Sequence, residues 1–145
     1  FETPDQWLTR LETDMIFAFF GYNESFEGPE GLANFEGELE AFIQHTFAQE
    51  YNGKSAPQLV LVSPIAFQDL SDKYDLPDGK KENVNLKMYA DAIKKIAEKN
   101  KIPFLDVFSP SQKWFTNGEQ LTIDGFQLND LGYQKFAKLL VDQTF

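Results

Sequence analysis

A chain of 145 residues, 42% hydrophobic and 15% aromatic with 15 Phe, has the length and composition of one folded domain with a phenylalanine-rich core, residues 1–145, not of a disordered chain. Thirteen Lys and Arg against 23 Asp and Glu give a formal net charge of −10, a field that repels phosphate backbones and anionic lipid surfaces, so neither nucleic acid nor a membrane is expected as a partner. The absence of cysteine excludes disulfides, thiolate metal ligands and a cysteine nucleophile, and leaves the compartment open, a secreted or periplasmic bacterial setting being favoured over the cytoplasm.

The first residues, FETPDQWLTRLETD, lack the basic-then-apolar order of a signal peptide, and no apolar run approaches the ~20 residues of a membrane span. MIFAFFG, Met15 to Gly21, is a continuous apolar run ended by glycine, which predicts a strand buried on both faces. Leu32, Phe35, Leu39, Phe42, Ile43 and Phe47 recur at steps of three and four, predicting a helix over 31–49 with one apolar stripe. QLVLVSP gives a second buried strand stopped at Pro64. After the polar loop SDKYDLPDGKKEN, residues Leu86, Tyr89, Ala90, Ile93 and Ala97 mark another core-facing helix. Pro103 to Phe108 reads as a third strand and Ser111 to Phe115 as a short helical piece. The NGEQLTIDG loop then leads to a final helix, capped by Asn129 or Asp130, whose buried face is Leu131, Phe136, Leu139 and Leu140.

Strands alternating with helices predict an α/β fold with a parallel sheet, because right-handed crossovers fold each helix back onto the sheet. Ligands of such sheets sit at the carboxyl ends of the strands. GYNES after the first strand, SPIAF after the second and DGFQLN before the last helix should therefore share one rim. One His, no Cys and scattered carboxylates supply no ligand cluster, so neither a metal nor another cofactor is expected.

Gly21-Tyr22-Asn23-Glu24 directly after a hydrophobic strand, together with Asp124-Gly125-Phe126-Gln127-Leu128-Asn129 before a C-terminal helix, resembles the SGNH hydrolases, also called GDSL esterases and lipases. The resemblance covers most of the chain. It implies a three-layer α/β/α, flavodoxin-like architecture. A G-x-N-[DE] block of that family supplies an oxyanion-hole asparagine, which carries over to Asn23. The late D-x-x-H block supplies two triad members, which carries Asp124 over as the carboxylate orienting the base. An ester or an acetylated carbohydrate is the implied ligand.

Two departures accompany these matches. The family's G-D-S block with the nucleophilic serine, and the block with the oxyanion-hole glycine, have no counterpart, so the resemblance implies the C-terminal portion of the domain with its N-terminal strands missing. The histidine position is Gln127, and the only histidine, His45, falls in a helix away from the rim. Serine acyl transfer needs a base that takes and returns a proton, and an amide does neither near neutral pH. Triad turnover by this chain alone is thereby excluded. Gln127 still offers a donor and an acceptor for a carbonyl, a water or the Asp124 carboxylate.

Plainer roles suit the same residues. Asn23 fits a turn after a strand, Asp124-Gly125 is a common loop pair, and Ser25 and Ser63 lie outside any G-x-S-x-G elbow. Glu36, Glu38 and Glu40 have the pattern of a solvated helix face. Three readings result: the C-terminal part of an SGNH-type esterase; a pseudoenzyme or binding module that keeps the rim without the catalysis, which Gln127 favours; and a flavodoxin-like signalling or binding domain, which would need a phosphate-cradling glycine loop or an acidic phospho-acceptor cluster that the sequence lacks. Without a neighbouring strand, Met15 to Phe20 would be an open apolar edge, expected to pair with a second copy as a homodimer or with an N-terminal segment.

Overall fold

The computed structural model describes residues 1–145. Its centre is a parallel sheet of β1 (Met15–Phe19), β2 (Gln58–Val62) and β3 (Phe104–Leu105) in the spatial order β1-β2-β3. Phe17 is paired with Val60, and Leu61 with Phe104. The helices are α1 (Pro4–Arg10), α2 (Gly28–Phe47), α3 (Lys80–Asn100), α4 (Phe108–Phe115) and α5 (Asp130–Thr144). None is long and apolar enough to cross a membrane.

The period-two alternation of a strand explains the layers. Leu59 and Leu61 of β2 join Phe35, Leu39 and Ile43 of α2 and Tyr89, Ile93 and Ile96 of α3 in one core. Val60 and Val62 point the other way and meet Leu105, Val107 and Leu128, against which Phe136, Leu139 and Leu140 of α5 pack. The result is an α/β/α sandwich about a parallel sheet.

Several boundaries depart from the expectations. β1 is not buried on both faces: only Ala18 is buried, while Met15 and Phe19 are 42% and 52% exposed, because β1 is the sheet edge with β2 as its single neighbour. The third strand pairs over only two residues, and the helix expected from Ser111 begins at Phe108. Its start is fixed by Ser63, whose Oγ accepts hydrogen bonds from the amides of Val107 and Phe108 at 3.0 Å each. Helix α2 starts at Gly28, ahead of its apolar stripe, where Pro29 pre-sets the first-turn backbone. Leu131 does not join the buried face of α5. Asn129 caps this helix through the Gly132 amide, and Gly132 lies so close to the Leu121 carbonyl that a Cβ would collide with it; Leu131, about 100° away around the helix, turns outward.

Helix α1 buries none of its residues. A capping box between Thr3 and Gln6 starts it, and Asp5 fastens it to the body. The Asp5 carboxylate accepts the Tyr51 hydroxyl at 2.6 Å and lies 2.8 Å from His45 Nε2 at the end of α2.

Leu61 has no exposed surface and sits in the strand that separates the two cores. Leu61→Ala is expected to cost about 3 kcal/mol, read as a lower urea midpoint at unchanged slope. The Asp5 carboxyl is held below its ordinary value of 3.8, first by the Tyr51 hydroxyl and then by His45, and burial followed by Asp5 pushes the Tyr51 phenol up to about 12. A depressed acid stabilises fully above its unfolded value and loses that contribution as pH falls through the folded one. A raised phenol stabilises fully below 10.0 and loses its contribution as pH rises through about 12. Amide shifts of α1 should accordingly report loosening below pH 3.8 and again above pH 10.0, and Asp5→Asn should remove the acid transition.

Candidate active site

Three loops meet at the carboxyl end of the sheet. The first follows β1: the Gly21 amide donates to Glu24 Oε2 at 3.0 Å, and Ser25 Oγ donates to the Tyr22 carbonyl at 2.6 Å. A 3-10 turn over Glu24–Glu27 completes it. Asn23 precedes that turn without capping it by its side chain, so the turn-cap role is unfilled and its amide stands exposed.

The second loop, Ser63 to Gln68, is buried throughout although it belongs to no helix or strand. Buried amides need partners, and side chains provide them. Ala66 N donates to Ser111 Oγ at 2.9 Å; Phe67 exchanges two hydrogen bonds with the Asn83 side chain, at 2.7 and 2.9 Å. Ser63 serves as the α4 cap described above.

The third loop is held by Gln68. Its Oε1 accepts from Leu121 N, Thr122 N and Thr122 Oγ1, at 3.0, 3.0 and 2.9 Å, while its Nε2 donates to the Glu119 carbonyl at 2.8 Å. Its backbone amide donates to the Gly125 carbonyl at 2.7 Å. Gly125 has φ +92° and packs against the Phe67 ring, a position closed to any side chain. Asp124 Oδ1 accepts the amides of Phe126 at 3.0 Å and Gln127 at 2.7 Å, an Asx turn that aims these two residues toward the first loop. Tyr22 and Phe126 then stack at an interplanar angle of 11°, clasping the first and third loops together.

Between the loops lies a cavity of about 620 Å³, lined by Phe19 to Glu24, Ser63 to Ile65, Phe126 to Leu128, Tyr133 and Phe136. Asn23 and Gln127 both line it. Asp124 does not; it lies beneath the Asx turn, near enough to Tyr22 that its charge, after burial and ahead of that of Glu82, raises the phenol. The Gln127 side chain makes no hydrogen bond to Asp124. His45 is on α2 beside Asp5, away from this rim. The cavity thus offers two uncommitted carboxamides and an aromatic wall.

Sequence reasoning missed Gln68, Tyr22 and Phe126 as the groups that build the rim. The one available signal was a glutamine inside an otherwise apolar buried run, PIAFQ. The aromatic stack carried none, since its partners come from distant parts of the chain.

Gln68→Leu keeps the volume and orphans the Leu121 and Thr122 amides and the Glu119 carbonyl. A loss of about 3 kcal/mol is expected, with faster hydrogen exchange at residues 121 and 122 while the α2–α3 core keeps its protection.

No protein-family model matches the sequence, and no curated protein matches it. Solved structures do. The chain is similar to the acetyl xylan esterase AlAXEase, with a TM-score of 0.72 at 19% identity over 97% of this chain and 71% of that one. It is similar to the lipase/acylhydrolase from Enterococcus faecalis, with a TM-score of 0.64 at 19% identity over 97% of this chain and 69% of that one. A catalytic mutant of the acetylxylan esterase Axe2 from Geobacillus stearothermophilus superposes with a TM-score of 0.68 at 14% identity, over 92% of this chain and 60% of that one. Catalytic mutants of Axe2 replace a serine, an aspartate and a histidine. The chain spans 60% to 71% of the length of these proteins. Its α/β/α sandwich about a parallel sheet is the fold it shares with these structures.

Proposed function

We propose that these residues are the C-terminal part of a single SGNH-type ester hydrolase domain, built for a carboxylic or carbohydrate O-acetyl ester and without turnover of its own. The observation that carries this reading is the meeting of Asn23 and Gln127, from opposite ends of the sequence, on one cavity at the carboxyl ends of parallel strands. Asn23 takes the part of the oxyanion donor: its carboxamide, with no hydrogen bond to the rest of the protein, lines the cavity and would donate to the charge that develops on a tetrahedral oxygen. Asp124 holds the third loop in shape. Gln127 stands at the base position and supplies hydrogen bonds only. A strand laid along the open edge of β1, from a preceding segment or from a second copy, would end at this cavity, where a nucleophile has to be.

A second reading is a binding module, favoured by two observations. Gln127 cannot cycle a proton, and the Asp124 carboxylate is already committed to two backbone amides. Such a protein would hold an ester or acetylated sugar through the same two carboxamides.

These residues alone should hydrolyse p-nitrophenyl acetate no faster than buffer, and an acetylated xylo-oligosaccharide should shift the side-chain amide signals of Asn23 and Gln127. In a longer natural polypeptide that supplies the serine, Gln127→His should raise ester hydrolysis by several orders of magnitude, since a missing base costs on the order of 10⁶ in kcat. No gain from histidine beside that serine would decide for the binding module. Hydrolysis that survives Asn23→Ala would place the chemistry elsewhere.

A further inference from the structure

The charged groups of this molecule are unevenly paired. On α2, Glu36 reaches Lys95 at 3.5 Å and Glu40 reaches Lys99 at 2.7 Å, so the carboxylates facing α3 have cations. On the side facing the cavity the pattern stops. Glu24 is the only charged residue in the cavity wall, and no lysine or arginine lines it. One Glu24 oxygen accepts the Gly21 amide, the other has no partner in the protein, and Glu24 belongs to no ion pair.

Phe20 and Glu24 also line a second cavity, of about 230 Å³, with Phe35, Glu38, Leu39 and Phe42. The two cavities are therefore neighbours with a common wall. Phe20 and Phe42 meet edge to face with centroids 5.0 Å apart, and Phe20 is 36% exposed. Glu38 accepts one hydrogen bond from Asn34 and has no cation either. Lys81 belongs to a separate small cavity of about 80 Å³ that shares Tyr22. Aromatic faces beside carboxylates, with no internal cation to neutralise them, are the surroundings that an organic ammonium seeks and an anion avoids.

We propose that the paired cavities select an ester bearing a cationic nitrogen, the ammonium lying between Phe20 and the carboxylates of Glu24 and Glu38 while the acyl end lies at Asn23 and Gln127. This rests on the ester reading above for the acyl end alone; the cation subsite stands on its own walls. Because Phe20 and Glu24 line both cavities, an acyl group in the larger one and an ammonium in the smaller one would meet at a common wall.

The test is an NMR titration with three acetates of similar length: acetylcholine, its uncharged isostere 3,3-dimethylbutyl acetate, and 4-acetoxybutanoate. Acetylcholine should bind about tenfold more tightly than the neutral ester, and the anionic ester most weakly. Glu24→Gln keeps an acceptor for the Gly21 amide and should abolish the preference; Glu38→Gln, which keeps an acceptor for Asn34, should reduce it. Tetramethylammonium alone should shift the amides of Phe20, Glu24 and Phe42. Shifts by tetramethylammonium without ester signals at Asn23 and Gln127 would uphold the cation subsite and sink the ester reading. Equal affinity for the three acetates, a preference that survives Glu24→Gln, or no response to tetramethylammonium would overturn the inference.

Discussion

The structure depends on β2 being apolar in both directions. It is the one strand with neighbours on both edges, and its alternate residues must satisfy two different helical layers, Leu59 and Leu61 toward α2 and α3, Val60 and Val62 toward α5. A slip of one residue in its register would exchange these sets and place valines against a layer shaped for leucines. Because β2 is fixed so tightly, the segment that leaves it, Ser63 to Gln68, is carried straight into the interior. Burial of that segment then dictates the polar side chains around it: Ser111 and Asn83 exist where they do because amides without water need acceptors.

The same demand shapes the rim. Gln68 spends both ends of its carboxamide on the loop that carries Phe126 and Gln127, and Asp124 spends its carboxylate on the turn between them. The site is therefore rigid through side-chain hydrogen bonds, not through sheet or helix. Tyr22 closes it by stacking on Phe126, a contact that buries two apolar faces and couples the first rim loop to the third. Asn23 and Gln127 remain the polar groups with nothing else to do, and in a folded protein that is where ligand recognition concentrates.

Periodicity made the layers legible in the sequence because the helices α2 and α3 bury regular stripes and β2 buries a continuous run. It failed where a tertiary neighbour decides the outcome. MIFAFFG carries the pattern of a central strand; the open edge there followed from the missing neighbour that the resemblance implied, not from periodicity, and the sheet order has β1 at that edge. Leu131 has the spacing of a buried residue, yet the approach of Gly132 to the Leu121 carbonyl rotates it outward. The short blocks around Asn23 and Asp124 located the rim, since strand ends and the turn before the last helix converge in any parallel sheet. Gln68 and the Tyr22–Phe126 clasp were invisible, because hydrogen bonds and stacking between residues so far apart leave no local pattern.

The apolar edge and the acidic charge bear on each other. Met15 and Phe19 are exposed on β1 and Phe20 just beyond its end, and Tyr133 and Val141 of α5 add apolar surface at 60% and 56% exposure. An edge of this kind invites strand pairing and lacks the lysines or prolines that usually discourage it. The formal charge of −10 works against any like-charged partner at long range, with a reach that falls to about 8 Å at physiological salt. Over the few ångströms of a backbone ladder, hydrogen bonding and apolar burial outweigh a screened field. A strand that reached β1 would thus be retained by contact and discriminated by charge on approach.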